Sequence, residues 1–404
     1  MAVGPEDFSD ICPVAGVRLS AIAAGIKANE APDLVIMELA PESTTAGVFT
    51  RNAFCAAPVT VSRRHLHAET PRYFLINSGN ANAGLGRAGL ADALISCQHL
   101  AARTDVRTEQ ILPFSTGVIG EQLPVDKITV CVPDLLGRLS EDNWLPAARA
   151  IMTTDTRPKI CSREISMGDS NVTITGMAKG SGMIRPDMAT LLVFVATDAS
   201  IPPGLLQELL DQAVHTSFNR VTIDSDTSTN DCCMLTATHR SRVRLEKGTE
   251  NFERFAAGLK DVCIQLAKGI VKDGEGATKF VEVCVENGKD TDECLSVAYS
   301  VADSPLVKTA MYASDANWGR ILMAIGKADV KDLDIDKVSI YLGDVCIVSS
   351  GERDRNYREE LGAQVMAQEE ITVCIDLGRG EASETVWTSD LSHEYVRINA
   401  EYRT

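Results

Sequence analysis

The residues best suited to chemistry lie in the stretch Lys179 to Ser200, KGSGMIRPDMATLLVFVATDAS. Its first half is irregular, because Gly180, Gly182 and Pro186 interrupt any helix or strand. After Thr190 the run LLVFVAT has the unbroken apolar character of a strand buried on both faces. Thr190 thus stands where a loop enters a core strand. A threonine hydroxyl there could attack a carbonyl if a base took its proton. By position alone, Thr190 reads as a β-branched residue opening a strand. The glycines do not make a phosphate cradle, since they lack GxGxxG or GxxxxGK(S/T) spacing and precede a strand rather than a helix. A second stretch, STGVIG at 115–120, offers the Thr116 hydroxyl and the Gly117 backbone N–H as possible oxyanion donors, or simply a β-turn.

Other chemistries find little support. The twelve cysteines include no CxxC pair, and Cys232 and Cys233 are adjacent, which suits neither tetrahedral zinc nor an ordinary disulfide. Cys97, Cys263, Cys284 and Cys374 lie in apolar periodic segments and read as small buried hydrophobes in a reducing compartment. No structural metal is expected. The six histidines, at 65, 67, 99, 215, 239 and 393, fall in no catalytic context. A net charge of −17 argues against nucleic acid and anionic membranes, and Arg63, Arg64 and His65 form the densest basic run. The start, MAVGPEDFSD, has no signal-peptide pattern. The longest apolar run, Leu191 to Ala196, falls far short of the roughly 20 residues that span a bilayer. A cytoplasmic protein is expected.

The elements that must hold these residues are legible in outline. Leu90, Leu94, Cys97 and Leu100 follow helical spacing, as do Leu205, Leu206, Leu209, Leu210 and Ala213 behind Pro202 and Pro203. Val281, Val283 and Val285 alternate with Glu282, Cys284 and Glu286, the pattern of a strand with one buried face. Val338, Ile340 and Leu342 lead through Gly343-Asp344 to Val345–Val348, a hairpin. Ile371, Val373 and Ile375 alternate again. Hairpin-paired strands interleaved with helices imply an α+β fold of layered sheets with covering helices.

The string KGSGMIRPDMATLL resembles the cleavage-site signature of the ornithine acetyltransferases (glutamate N-acetyltransferases), in which the bond before the threonine of MAT is cut. Further motifs keep the family's order: AGVFTRNAFCAAPV, NSGNANA, STGVIG, MTTDT, SFNRVTIDSDTSTNDC, DGEGATK, SPLVKTAMYASDANWGRI and the tail RINAEYRT. The resemblance covers nearly the whole chain. Ser225 stands where the family pattern DGDTSTND has Gly, and Asp187 where Asn is also common.

The resemblance implies two stages. The Thr190 hydroxyl first attacks the Ala189 carbonyl, and hydrolysis of the ester leaves an α chain of residues 1–189 and a β chain of residues 190–404 that fold together in a self-cleaving N-terminal-nucleophile fold. The freed α-amino group of Thr190, with an unperturbed pKa of about 7.7–8.0, then serves as general base. The acetyl group passes from N2-acetylornithine to Thr190 and on to glutamate, in ping-pong fashion, for arginine biosynthesis; no cofactor is required, because the acyl-enzyme itself carries the acetyl group. Some family members also accept acetyl-CoA. By the same resemblance Thr116 and Gly117 form the oxyanion hole, and Thr153, Thr154, Lys179, Thr190, Glu275, Asn399 and Thr404 bind substrate. Which of Thr153 and Thr154 supplies the hydroxyl stays open. An α2β2 assembly is expected, again by resemblance. The competing readings are an N-terminal-nucleophile aminopeptidase or amidase, and an uncleaved amino-acid-binding protein.

Overall fold

The structure, a computed structural model, describes residues 2–5, 8, 11–185 and 191–401. Its strands are β1 (Val17–Ile22), β2 (Leu34–Leu39), β3 (Thr44–Phe49), β4 (Tyr73–Asn80), β5 (Ile111–Val118), β6 (Lys159–Ser166), β7 (Asn171–Lys179), β8 (Leu192–Thr197), β9 (Val221–Thr222), β10 (Cys232–Ala237), β11 (Phe280–Gly288), β12 (Ser339–Leu342), β13 (Val345–Ser349), β14 (Glu352–Arg353), β15 (Glu370–Asp376) and β16 (Ala382–Ser389). The helices are α1 (Ala57–Ala68), α2 (Gly86–Ala101), α3 (Val125–Gly137), α4 (Trp144–Ala150), α5 (Pro203–His215), α6 (Glu250–Lys272), α7 (Thr291–Ala302), α8 (Pro305–Tyr312), α9 (Trp318–Gly326), α10 (Glu359–Met366) and α11 (His393–Ala400). The chain divides into two compact units, the larger spanning 6–219 and 226–270, the smaller 1–5, 220–225 and 271–404.

The larger unit stacks two sheets, ordered β1-β2-β4-β5 and β3-β10-β8-β7-β6. Their facing sides share one apolar core, in which Phe74, Phe114 and Phe194 make mutual ring contacts at 5.0–5.9 Å. The outer face of the first sheet packs Leu34, Ile36 and Leu75 against α2 and α3 through Cys97, Leu100, Ile128 and Val132. The outer face of the second packs on α6, where Gly176 admits Leu266 and Val262. This helix–sheet–sheet–helix layering is the α+β architecture expected. Strand β8 is buried along its whole length, and Leu191 is 1% exposed. It pairs antiparallel with β7 and parallel with β10. Strands β7 and β8, consecutive in the chain, are thus neighbours in one sheet.

The smaller unit has a seven-stranded sheet, β14-β13-β12-β15-β11-β16-β9. One face packs Val281, Val283, Val285, Val373 and Ile375 against α7 and α9. The expected β12–β13 hairpin turns at Gly343. Two details differ from the sequence reading. In α2 the buried stripe runs through Gly89, Ala93, Cys97 and Leu100, which leaves Leu90 and Leu94 at its rim. Cys284 and Cys374 are half-buried rather than core residues, because the period of two that buries their valine neighbours turns them to the opposite face. All twelve cysteines are free thiols. Among the described residues no helix is long and apolar enough to cross a membrane.

Candidate active site

Thr116 and Gly117 lie near the end of β5, where the parallel register sets them beside Ser78 and Gly79 of β4. Gly117 has φ +134°, and a Cβ there would lie 2.3 Å from the Gly79 carbonyl carbon. No side chain fits so close to another backbone, so only glycine serves. Lys179 ends β7, and its Nζ donates to Thr116 Oγ1 at 3.2 Å. An ammonium has no lone pair. The Thr116 oxygen must therefore accept, which leaves its own hydrogen free to donate elsewhere. That is the state an oxyanion donor needs.

Behind this pair sits Asp155, whose side chain is fully buried. Its carboxylate meets Lys159 Nζ at 2.5 Å and accepts the N–H groups of Thr153 at 2.9 Å and Gly180 at 2.8 Å. Burial pushes its carboxyl up, but the charges of Lys159 and Lys179 and these hydrogen bonds outweigh that and hold it well below the usual carboxylate range. Asp155 thus ties the MTTDT segment to the start of the glycine-rich loop. In that segment the Thr154 hydroxyl is engaged with Ser181 Oγ at 2.6 Å. Lys27 stands in the same field, its ammonium lowered chiefly by burial, against the opposing pull of Asp33 and Asp155.

Entry into β8 is held from two sides. Buried Asp231 accepts the Leu191 N–H at 2.9 Å, and the Cys232 N–H donates to the Leu191 carbonyl at 3.0 Å. The residue after Thr190 is fixed by a charge-assisted bond. Ala189 and Thr190 themselves, and Thr404, lie outside the described residues.

In the smaller unit Asn399 of α11 donates to Glu275 Oε2 at 2.7 Å. The DGEGATK loop and α11 are joined at several points. Ser392 caps the helix and also donates to the Gly276 carbonyl at 2.6 Å. Gly276, at φ +68°, approaches so closely that a Cβ would lie 2.5 Å from Tyr395 N. Asp390 accepts from Thr278 N, Thr278 Oγ1 and Lys279 N at 2.6–2.9 Å, and the Tyr395 hydroxyl donates to Asp224 at 3.2 Å.

The ArgJ family model matches residues 18–404. This chain belongs to the ArgJ family. It is 56% identical to an arginine biosynthesis bifunctional protein ArgJ from Methylococcus capsulatus and 53% identical to one from Pseudomonas syringae pv. tomato, each alignment covering all of both chains. Among solved structures it is similar to an arginine biosynthesis bifunctional protein from Bacillus halodurans, with TM-score 0.48 and 36% identity over 51% of this chain and 96% of that one. It is also similar to an ornithine acetyltransferase from Mycobacterium tuberculosis, with TM-score 0.39 and 37% identity over 43% of this chain and 93% of that one. The chain is an arginine-biosynthesis enzyme of the ornithine acetyltransferase (glutamate N-acetyltransferase) type.

Within that family frame, Thr116 and Lys179 meet directly, as do Glu275 and Asn399. Thr153 and Thr154 precede Asp155; Thr153 gives it a backbone N–H, while the Thr154 hydroxyl is engaged with Ser181. Sequence reasoning missed Asp155, Asp231, Asp390 and Ser392. The first two lie inside the motifs MTTDT and SFNRVTIDSDTSTNDC, but no local pattern sets either carboxylate apart from a solvated one.

Proposed function

We propose that the chain cleaves itself before Thr190 and then transfers acetyl from N2-acetylornithine to glutamate through an acetyl-Thr190 intermediate. The observation that carries this reading is the Lys179–Thr116 contact beside Gly117, a hydrogen-bond donor pair held next to a buried charge cluster. In cleavage the Thr190 Oγ–C bond forms at the Ala189 carbonyl, the amide C–N bond breaks, and the hydroxyl proton goes to the departing nitrogen. Water then hydrolyses the ester and leaves residues 1–189 and 190–404. The pairing of β7 with β8 supports the two products remaining together.

In transfer, the Thr190 α-amine takes the hydroxyl proton as Oγ attacks the acetyl carbonyl, and passes it to the leaving ornithine amine. Thr116 and Gly117 stabilise the oxyanion. Glutamate's amine attacks the acyl ester in the second half. Lys179 faces the substrate carboxylate, Thr153 or Thr154 supplies a hydroxyl, Glu275 pairs with the side-chain ammonium, and Asn399 and Thr404 complete substrate binding. Acetyl-CoA serves as a second donor, a reading supported by the word bifunctional in the relatives' names. The enzyme is cytoplasmic and assembles as α2β2.

The test is Thr190→Ala. A single uncut band on a denaturing gel and no ornithine release with glutamate present are expected. Two chains from this variant, or transfer at the normal rate by its intact precursor, would overturn the mechanism. Thr116→Ala should cut slowly yet lose about 100- to 1,000-fold in turnover. Release of acetate from acetylornithine without glutamate would point to an amidase instead, and light scattering at the mass of one αβ unit would remove the tetramer.

A further inference from the structure

The polar face of the smaller unit's sheet carries a cluster unrelated to acyl transfer. Parallel strands β11 and β15 pair Cys284 with Cys374 and Glu286 with Asp376. Val283, Val285, Val373 and Ile375 fill the buried face. The alternation of side chains therefore sets both thiols and both carboxylates on the other face as a two-by-two patch. Among the described residues, the two sulfurs and a Glu286 carboxylate oxygen lie within 4.8 Å of one another.

We infer that Cys284, Cys374 and Glu286 bind a thiophilic divalent cation, with Zn2+ the best fit. Tetrahedral zinc, with Zn–S about 2.3 Å and Zn–O about 2.0–2.2 Å, needs sulfurs about 3.8 Å apart and a sulfur–oxygen separation of about 3.6 Å. Cys284 Sγ and Glu286 Oε1 are 3.6 Å apart. The two sulfurs lie within 4.8 Å, so the pair must close by at most about 1 Å to meet the sulfur–sulfur spacing. Two thiolates select a soft or borderline ion over Mg2+ or Ca2+, which prefer all-oxygen ligands. Both thiols release their protons to solvent on binding. The two cysteines are half-buried and Glu286 is exposed, so water reaches the fourth position. An open position marks an exchangeable site rather than a closed structural one.

Bound there, the ion clips β11 to β15 and stabilises the smaller unit by binding only the folded register. The usual CxxC spacing is absent because the ligands come from two separate strands brought side by side by the sheet. A disulfide is the rival fate of this pair, since partners on adjacent strands fall within the Cα separations that disulfides span.

The experiment uses the full-length protein, reduced and anaerobic, titrated with Co2+ as a spectroscopic stand-in and then with Zn2+. The expected result is a thiolate-to-cobalt charge-transfer band that saturates at one equivalent per chain, is displaced by Zn2+, and is accompanied by a higher unfolding temperature. Cys284→Ser and Cys374→Ser should each abolish the band. Glu286→Gln removes a ligand and should weaken binding by at least the about 10- to 100-fold seen when a mere supporting partner of a metal site is lost. Cys161→Ser, a half-buried thiol of the larger unit, should change nothing. Circular dichroism of the apo variants separates lost ligation from lost folding. The inference fails if the reduced wild type shows no one-equivalent band, or if the band survives both cysteine variants. It also fails if one equivalent of Zn2+ does not slow oxidation of the Cys284–Cys374 pair to a disulfide in air.

Discussion

Asp155 in the larger unit and Lys308 in the smaller are both buried charges, yet their surroundings differ in kind. Asp155 touches the Lys159 ammonium and two backbone N–H groups, with Lys179 nearby. Lys308 donates to the Thr388 hydroxyl at 2.8 Å and to the Ser389 carbonyl. The carboxylates that face it, Asp303, Asp224 and Asp390, are bonded to Thr222, to Tyr395, and to Thr278 and Lys279 respectively. The Asp155 carboxyl is accordingly held far below its ordinary range, while burial lowers Lys308 to about 8. One charge is compensated where it stands; the other is only partly so. The compensated one sits beside the proposed oxyanion donors, where fixed, prepaid electrostatics are worth most.

The sharpest way to break this comparison is Asp155→Asn. Removing one partner of a buried ion pair costs about 3–5 kcal/mol, because the remaining ammonium is left buried. Urea unfolding should show a loss of that order, together with lost transfer activity. The pH dependence has a definite sign. A carboxyl depressed in the folded state stabilises above its unfolded pKa of about 3.9 and loses that contribution as pH falls toward its folded value. Wild type should therefore lose stability more steeply below about pH 4 than Asp155→Asn does. A variant as stable as wild type at neutral pH would mean the cluster is not coupled.

Lys308 should behave in the opposite direction. Between its folded pKa of about 8 and the unfolded value of about 10.4, the unfolded chain binds more protons. Stability should rise with pH across that window, by roughly 2–3 kcal/mol in all at about 1.4 kcal/mol per unit. Lys308→Met cannot titrate there. The difference between the two unfolding curves, measured from pH 7.5 to 10.5, isolates this residue from other lysines. A difference that stays flat would show that the neighbouring aspartates compensate Lys308 as fully as Lys159 compensates Asp155.

How much of this was readable in advance follows from how local each feature is. The buried strand after Thr190 was legible because LLVFVAT is apolar without a break, and β8 is buried throughout. The hairpin at Gly343 and the alternation of β11 and β15 were legible because a Gly-Asp turn and a period of two are equally local signals. Asp155 and Asp231 were not, since nothing local distinguishes a carboxylate that gathers lysines and backbone N–H groups from a solvated one. Nor was the pairing of Cys284 with Cys374, which depends on the order and register of strands. Thr116 and Lys179 were reached through family motifs; their 3.2 Å contact emerges only once β5 and β7 are folded.

The Glu275–Asn399 contact is the looser of the two proposed substrate-binding pairs, because Asn399 is exposed on a helix near the chain end. Asn399→Ala removes one hydrogen bond to a charged group, worth about 1.5–3 kcal/mol at most, and solvent competes for it. We expect roughly a tenfold rise in KM for acetylornithine with kcat little changed. A fall in kcat of the size expected for Thr116→Ala would place Asn399 among the rigid groups and erase the distinction.

The smallest expected effect concerns Ser225, the departure from glycine in SFNRVTIDSDTSTNDC. Its φ is +68°, in the left-handed region that costs a residue with a Cβ about 1–2 kcal/mol. Ser225→Gly relieves that cost but frees the unfolded chain, which takes back about 0.4–1 kcal/mol. The net gain should be about 0.5 kcal/mol, visible as a small upward shift in the urea midpoint with an unchanged slope. Ser225 follows Asp224, whose carboxylate receives the Tyr395 hydroxyl of α11. If relaxing this turn also moved the KM for acetylornithine, the strain would be coupled through Tyr395 to the helix that carries Asn399. A stability gain with unchanged kinetics would instead leave Ser225 as a tolerated local cost, and a loss of stability would show that its side chain gives more than its backbone conformation takes.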